Sequence, residues 1–318
     1  MIKDPDLLRT AAVLLSTLVL ISCGLDPTAS PPSSTSETRE EPPAPTLTLS
    51  SPSEVTPTPS SPAERPTAAA TSDPEEALTL WTTRGILPGK ALKIRQGPDS
   101  DATVSGLIPA GAVSILAGEE PIPGDQGSWL RVTYRDQSGW APTEHLARQK
   151  GTLPEDIVQH SLQVLELIED NDLQALTNHI HPSSCLRFSP YPYLQPEDQV
   201  VCPPQIRELK SQPEPVLWGR FDGSGKPINM TYGAYYDQFI YDQNYLKAPV
   251  IGLNQAVSTG NAPNNIPEVY PGAVFIEYHF PGIDPQYGGL DWRSLRLVYQ
   301  QIDSTWYLTA IVHGEWTI

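Results

Sequence analysis

Glu277, His279, Arg296 and His313 are the side chains of this chain whose types and placement come nearest to chemistry. They fall in three C-terminal runs that read as strands, Ala273–Phe280, Ser294–Ile302 and Thr305–Glu315. Side chains alternate between the two faces of a strand. Glu277 and His279 therefore lie opposite Val274, Ile276 and Tyr278, Arg296 lies opposite Leu295 and Leu297, and His313 lies opposite Leu308 and Val312. The four are expected to meet on one face. A carboxylate beside a histidine can serve as an acid/base pair, while the same residues also form ordinary cross-strand charge pairs. The pattern favours pairing. No G-x-S-x-G or H-E-x-x-H run supports hydrolysis, so binding is the expectation. An enzyme using Glu277, His279 and His313 is the alternative.

These strands need elements to hold them. Thr152-Leu153-Pro154-Glu155 has the form of a capping box. After it, Ile157, Val158, Leu162, Leu165 and Ile168 recur at helical spacing. Leu173, Leu176 and Ile180 mark a second short helix. Tyr232, Tyr235, Tyr236, Phe239 and Tyr241 form an aromatic run whose spacing suits packing on a sheet better than lining a pocket. Asp222-Gly223-Ser224-Gly225 has the glycines of a phosphate loop but no following Lys-Ser/Thr, and reads as a hairpin turn. Helices first and antiparallel strands last suggest an α+β layer. With I-E-D-N-D-L-Q-A-L at the helix junction and S-L-R-L-V-Y … T-W-Y-L-T-A-I-V at the end, residues 151–318 resemble NTF2-like cone domains. Between these ends, Phe188-Ser-Pro-Tyr191, Trp218–Gly225, Asn264-Asn265-Ile266 and Asp291-Trp292-Arg293-Ser294 form a stretch of different character, which also resembles an uncharacterised domain of exported bacterial lipoproteins. The cone resemblance implies a concave pocket for a small ligand or partner, or a surface through which the chain forms a homodimer.

Ahead of this lie short strand-like runs between Gly and Pro punctuation: Ala91–Ile94, Thr103–Leu107, Ala112–Leu116, Trp129–Tyr134 and Gly139–Ala141. Such spacing suggests a small barrel. Leu92-Lys-Ile-Arg-Gln-Gly-Pro98, Leu107-Ile-Pro-Ala-Gly111, Trp129-Leu-Arg-Val132 and Ser138-Gly-Trp-Ala141 follow the order of the bacterial SH3 motifs, so residues 79–149 resemble that all-β domain. The resemblance implies binding of peptidoglycan peptide or an envelope protein, with Trp129, Tyr134 and Trp140 as candidate contacts; in a barrel this small the two tryptophans can equally be core, and Trp129 is expected there. Rigid aromatic rings give contact area at low entropic cost.

The N-terminus supplies an address. The apolar run Ala11–Ser22 is shorter than the roughly 20 residues that span a bilayer. It ends in Leu20-Ile-Ser-Cys23, which resembles the bacterial lipobox. The resemblance implies a signal peptide over 1–22, lipidation of Cys23 and an extracytoplasmic protein anchored to the cell membrane. Residues 23–78 are dominated by Pro, Ser, Thr, Ala and Glu, a composition expected to stay disordered and to act as a tether reaching on the order of 100 Å. A formal net charge of −17 argues against nucleic acid, which is gripped through Lys and Arg. With Cys23 lipidated and the chain exported, Cys185 and Cys202 are expected to pair in an oxidising space. A metal site joining them to His179 and His181 is the lesser alternative, because the spacing fits no common zinc pattern. No cofactor is expected.

Overall fold

The computed structural model describes residues 79–317, apart from 259 and 261. The leader, Cys23 and the Pro/Ser/Thr-rich stretch lie outside the described residues. The N-terminal half contributes β1 (Leu80–Thr83), β2 (Ala91–Arg95), β3 (Val104–Pro109), β4 (Ile115–Ala117), β5 (Ile122–Gly124), β6 (Gly127–Tyr134), β7 (Gln137–Pro142) and β8 (Leu146–Gly151). Next come α1 (Glu155–Glu169), α2 (Leu173–Leu176), β9 (Leu186–Ser189), β10 (Gln199–Val201), α3 (Pro203–Ile206), β11 (Val216–Arg220), β12 (Pro227–Met230) and α4 (Tyr232–Phe239). The chain closes with β13 (Val250–Leu253), α5 (Ile266–Val269), β14 (Val274–Phe280), β15 (Arg293–Ile302) and β16 (Thr305–Glu315).

The expected architecture, a small SH3-like barrel followed by a separate α+β cone, is overturned. One mixed sheet of 14 strands runs through both halves in the order β10-β9-β16-β15-β14-β13-β8-β1-β4-β6-β7-β2-β3, with β5 added on β6. The halves join where β8 pairs in parallel with β13, Arg148 opposite Val250 and Gly151 opposite Leu253. Motif order announces strands but not their partners. A strand edge left with free N–H and C=O groups is satisfied by whichever strand reaches it, and here β13 reaches β8.

β14, β15 and the inner part of β16 are buried on both faces, which explains their nearly continuous apolar runs. One face packs on α1 and α4 in the main core, with Ile276, Tyr278, Leu295, Leu297, Tyr299 and Ile311. The other carries a smaller cluster of Phe275, Val298, Ala310 and Val312 against Leu194 and Ile266.

α1 turns its predicted stripe inward, together with Ser161. Ser161 Oγ lies 2.9 Å from both the Tyr278 and Tyr299 hydroxyls, a polar pin between helix and sheet. The capping box does not form. Pro154 occupies the N-cap without a side-chain bond, and Glu155 instead accepts from Tyr134 Oη at 2.8 Å and Arg135 Nη2 at 2.9 Å. Cys185 and Cys202 are joined in a disulfide. Asp222–Gly225 is the turn between β11 and β12, with Gly223 and Gly225 at positive φ.

Candidate functional site

Register decides which of the sequence-predicted residues meet. Glu277 lies opposite Arg296, and His279 opposite Ser294. His313 lies opposite Leu295 and so points to the other face. A β-bulge is responsible. Tyr299 pairs with Leu308 but Val298 pairs with Ala310, leaving Thr309 as the extra residue; its hydroxyl donates to the Val298 carbonyl at 3.2 Å. A one-residue slip moves every later side chain to the opposite face. Straight alternation through Thr309 would have put His313 beside Glu277, Arg296 and His279.

Glu277 is fully buried, and Arg296 nearly so. Arg296 Nε donates to Glu277 Oε2 at 3.0 Å, and the N–H groups of Val257 and Ser258 complete the carboxylate's shell at 2.8 and 3.0 Å. Burial pushes the Glu277 carboxyl up, but Arg296 and these N–H groups hold it below the ordinary range. The pair is a rivet for the segment over the sheet, with Arg296 Nη2 also donating to Ser258 Oγ at 2.6 Å. His279 is buried beside Trp292, and that burial lowers its pKa. On the other face, His313 lies between the Pro190 carbonyl at 3.2 Å and Asp242 Oδ2 at 3.3 Å. Asp242 also accepts from Arg293 at 2.9 Å and from the Tyr245 hydroxyl at 2.6 Å.

The N-terminal aromatics separate in the same way. Tyr134 is buried, with its hydroxyl on Glu155. Trp140 is half-buried opposite Arg131 and Arg95. Trp129 is buried yet lines a hollow of about 220 Å³ with Lys93, Arg95, Gln126 and Glu144. Its Nε1 has no hydrogen-bond partner.

A larger cavity, of about 650 Å³, opens elsewhere, and sequence reasoning missed it. Its walls are the β9–β10 connector, with Pro190, Tyr191, Tyr193, Glu197 and Asp198, the β11–β12 turn, with Arg220, Phe221 and Asp222, and the pair Ala262 and Pro263. Phe188-Ser-Pro-Tyr191 and Trp218–Gly225, two of the runs whose character differs from the rest of this region, contribute to its walls, and they are the one signal the sequence carries for it. The connector is shaped by its own polar groups. Asn265 clamps Leu194 from both sides, accepting its N–H at 2.8 Å and donating to its carbonyl at 3.0 Å. Ser189 Oγ donates to the Tyr191 carbonyl at 2.9 Å. Behind the wall, Trp218 stacks on Tyr235 at 4.2 Å.

Asp198 is the buried carboxylate of this cavity, its side chain 1% exposed. Oδ2 accepts the Gln195 N–H at 2.8 Å, and the nearest guanidinium nitrogen, Arg187 Nη1, stands 4.0 Å away. Burial lifts its carboxyl to about 6, against the pull of the Gln195 N–H, the Ser189 hydroxyl and Arg187. Tyr191 is pushed up to about 12 by burial and the Glu315 charge.

No family model, curated protein or solved structure matches the chain. The geometry therefore stands alone. Among the described residues no group of three or more His, Cys, Asp or Glu is placed to hold a metal ion; Cys185 and Cys202 are bound to each other, and His181 Nδ1 accepts the N–H groups of Ser183 and Ser184. No helix among them is long and apolar enough to cross a membrane. What the large cavity offers is aromatic walls, one buried carboxylate and charged groups at its rim, an arrangement suited to holding a small molecule.

Proposed function

We propose that this chain is an extracytoplasmic, lipid-anchored binding protein of the bacterial envelope, fixed through Cys23, whose working site is the cavity around Asp198. One observation carries the reading: an open cavity of about 650 Å³ with Tyr191, Tyr193 and Phe221 beside a buried carboxylate. That volume lies in the range typical of small-ligand sites. The walls are held in place, because the Asn265 clamp fixes the connector at Leu194 and the Cys185–Cys202 bridge ties the outer ends of β9 and β10 together, so little ordering entropy is lost on binding. The acid/base alternative lacks its geometry, since Glu277 is committed to Arg296 and His313 lies on the opposite face.

The hollow at Trp129 is the second contact in this reading. Lys93 and Arg95 at the rim of this hollow suit carboxylates of peptidoglycan peptide or of an envelope protein.

A plug tests the main site. Ala262 lines the cavity, and Ala262→Trp is expected to fill it. A small-metabolite panel followed by thermal shift should contain ligands that stabilise the natural chain and not the plugged one. Equal shifts in both would place the binding elsewhere and end the proposal. Lys93→Glu should lower retention on purified peptidoglycan without altering those shifts.

A further inference from the structure

We infer that the cavity's ligand is a small primary amine, its ammonium seated against Asp198 and its carbon chain lying along Tyr191, Tyr193 and Phe221. This rests on the reading of the cavity as a ligand site and names the chemistry of what fills it.

The charges of the wall point that way. Three carboxylates, Glu197, Asp198 and Asp222, line the cavity against one cation, Arg220. Arg220 is committed: Nε lies 3.9 Å from Glu197 and Nη1 donates to the Gly225 carbonyl at 3.0 Å. Asp222 is committed as well, accepting the Gly223 N–H at 2.9 Å and the Thr317 hydroxyl. Asp198 accepts one N–H, from Gln195 at 2.8 Å. The one cation near it, Arg187, directs Nη1 to the Gln195 carbonyl at 2.7 Å and Nε to the Tyr270 hydroxyl at 3.1 Å, and stands 4.0 Å from the carboxylate, close enough for charge attraction but not for a hydrogen bond. A buried carboxylate with no cation in hydrogen-bond contact is unfavourable until one arrives.

A ligand cation satisfies each feature of the wall. An ammonium supplies three donors and no acceptor, which suits a site rich in acceptors. Aromatic faces attract cations and also cover alkyl chains; Tyr193 is 38% exposed, so its ring is open to a ligand. Behind the wall the Tyr235 hydroxyl is buried with no hydrogen-bond partner, within reach of the Asp198 charge. An anion would meet three carboxylates, and a neutral polyol would leave Asp198 without its counter-charge. The net charge of −17 adds long-range attraction for cations. A cation seated on Asp198 draws its carboxyl, lifted to about 6 by burial, back toward the ordinary carboxylate range.

Calorimetry on the full chain in detergent tests this with three probes of matched length: pentane-1,5-diamine, pentane-1,5-diol and glutarate. The diamine should bind, and Asp198→Asn should weaken it about tenfold at pH 7.5, while Glu119→Gln, at an exposed carboxylate outside the cavity, leaves it unchanged. In the natural chain, diamine binding near pH 6 should release about half a proton to the buffer, read from titrations in buffers of different ionisation enthalpy. That readout needs no variant and holds if Asp198→Asn does not fold. Diol or glutarate binding as tightly as the diamine, in a manner Ala262→Trp abolishes, would overturn the amine and leave the cavity as a ligand site. Diamine binding without proton release, or insensitive to a folded Asp198→Asn, would remove Asp198 from the site. No heat from any of the three would also overturn the amine, while the plug experiment decides the cavity separately.

Discussion

Asp198 lowers the stability of the fold at neutral pH. Its carboxyl is lifted to about 6 by burial, above the unfolded value near 3.9, so the folded state binds more protons between those values. Stability contributed by the protonated acid is present at low pH and lost as pH rises through about 6. Asp198→Asn should therefore raise the melting temperature at pH 7, and the gain should vanish near pH 4. An unchanged or lowered melting temperature at pH 7 would contradict this account. His160 acts in the opposite direction. Its ring lies 5.1 Å from that of His179, and burial, then the His179 charge, lower it to about 4. The unfolded chain takes up this proton first, so stability should fall as pH drops from about 6.5 toward 4. Denaturant titrations of His160→Gln should show a flatter profile over that window than the natural chain. Of the residues chosen from sequence, Glu277, His279 and Arg296 share a face as alternation requires. His313 does not, because one extra residue at Thr309 breaks the alternation, and nothing in the types of Thr309 or its neighbours announces a bulge.

Elements are held here by polar pins as much as by apolar stripes. The Ser161 hydroxyl joins α1 to β14 and β15 through two buried phenols. Ser161→Ala removes one hydroxyl and orphans two, so it should destabilise by about 1–3 kcal/mol, more than the loss of one exposed bond. Unfolding in urea measures it, and a change below about 0.5 kcal/mol would show that the phenols find other partners. The apolar stripe of α1 was legible, since it follows from a helical period alone. The failed capping box was not, because Glu155 has two candidate uses: its own helix end, or Tyr134 and Arg135 in the N-terminal half. Local motifs rank the first, and tertiary contact selected the second. The aromatic run on α4 was legible as packing, with Tyr232, Tyr235 and Phe239 buried.

At the scale of the whole molecule the decisive contact is β8 with β13. Around it, Gly85 N–H donates to the Leu246 carbonyl at 2.8 Å, and Arg84 donates to the carbonyls of Glu144 and Lys247. Ala110 and Ala147 belong to the same apolar core as α1 and β14–β16. Two halves sharing a ladder and a core should unfold together. Calorimetry on the full chain should show a single transition with matching calorimetric and van't Hoff enthalpies, and two resolved peaks would show the halves to be independent. Motifs pointed to two modules because each half carries its own turns and periodicity. The junction is carried by backbone groups of β8 and β13, which no side-chain pattern records.

The position of β1 has a mechanical consequence. It is the first described strand, and it is hydrogen-bonded on both sides, to β4 and to β8. A pull on the chain ahead of Leu80 therefore enters the sheet at its interior and not at an edge that could be peeled strand by strand. To give way, β1 must part from two ladders at once, one belonging to each neighbour. Anchored as proposed through Cys23, the protein would carry its load at that point.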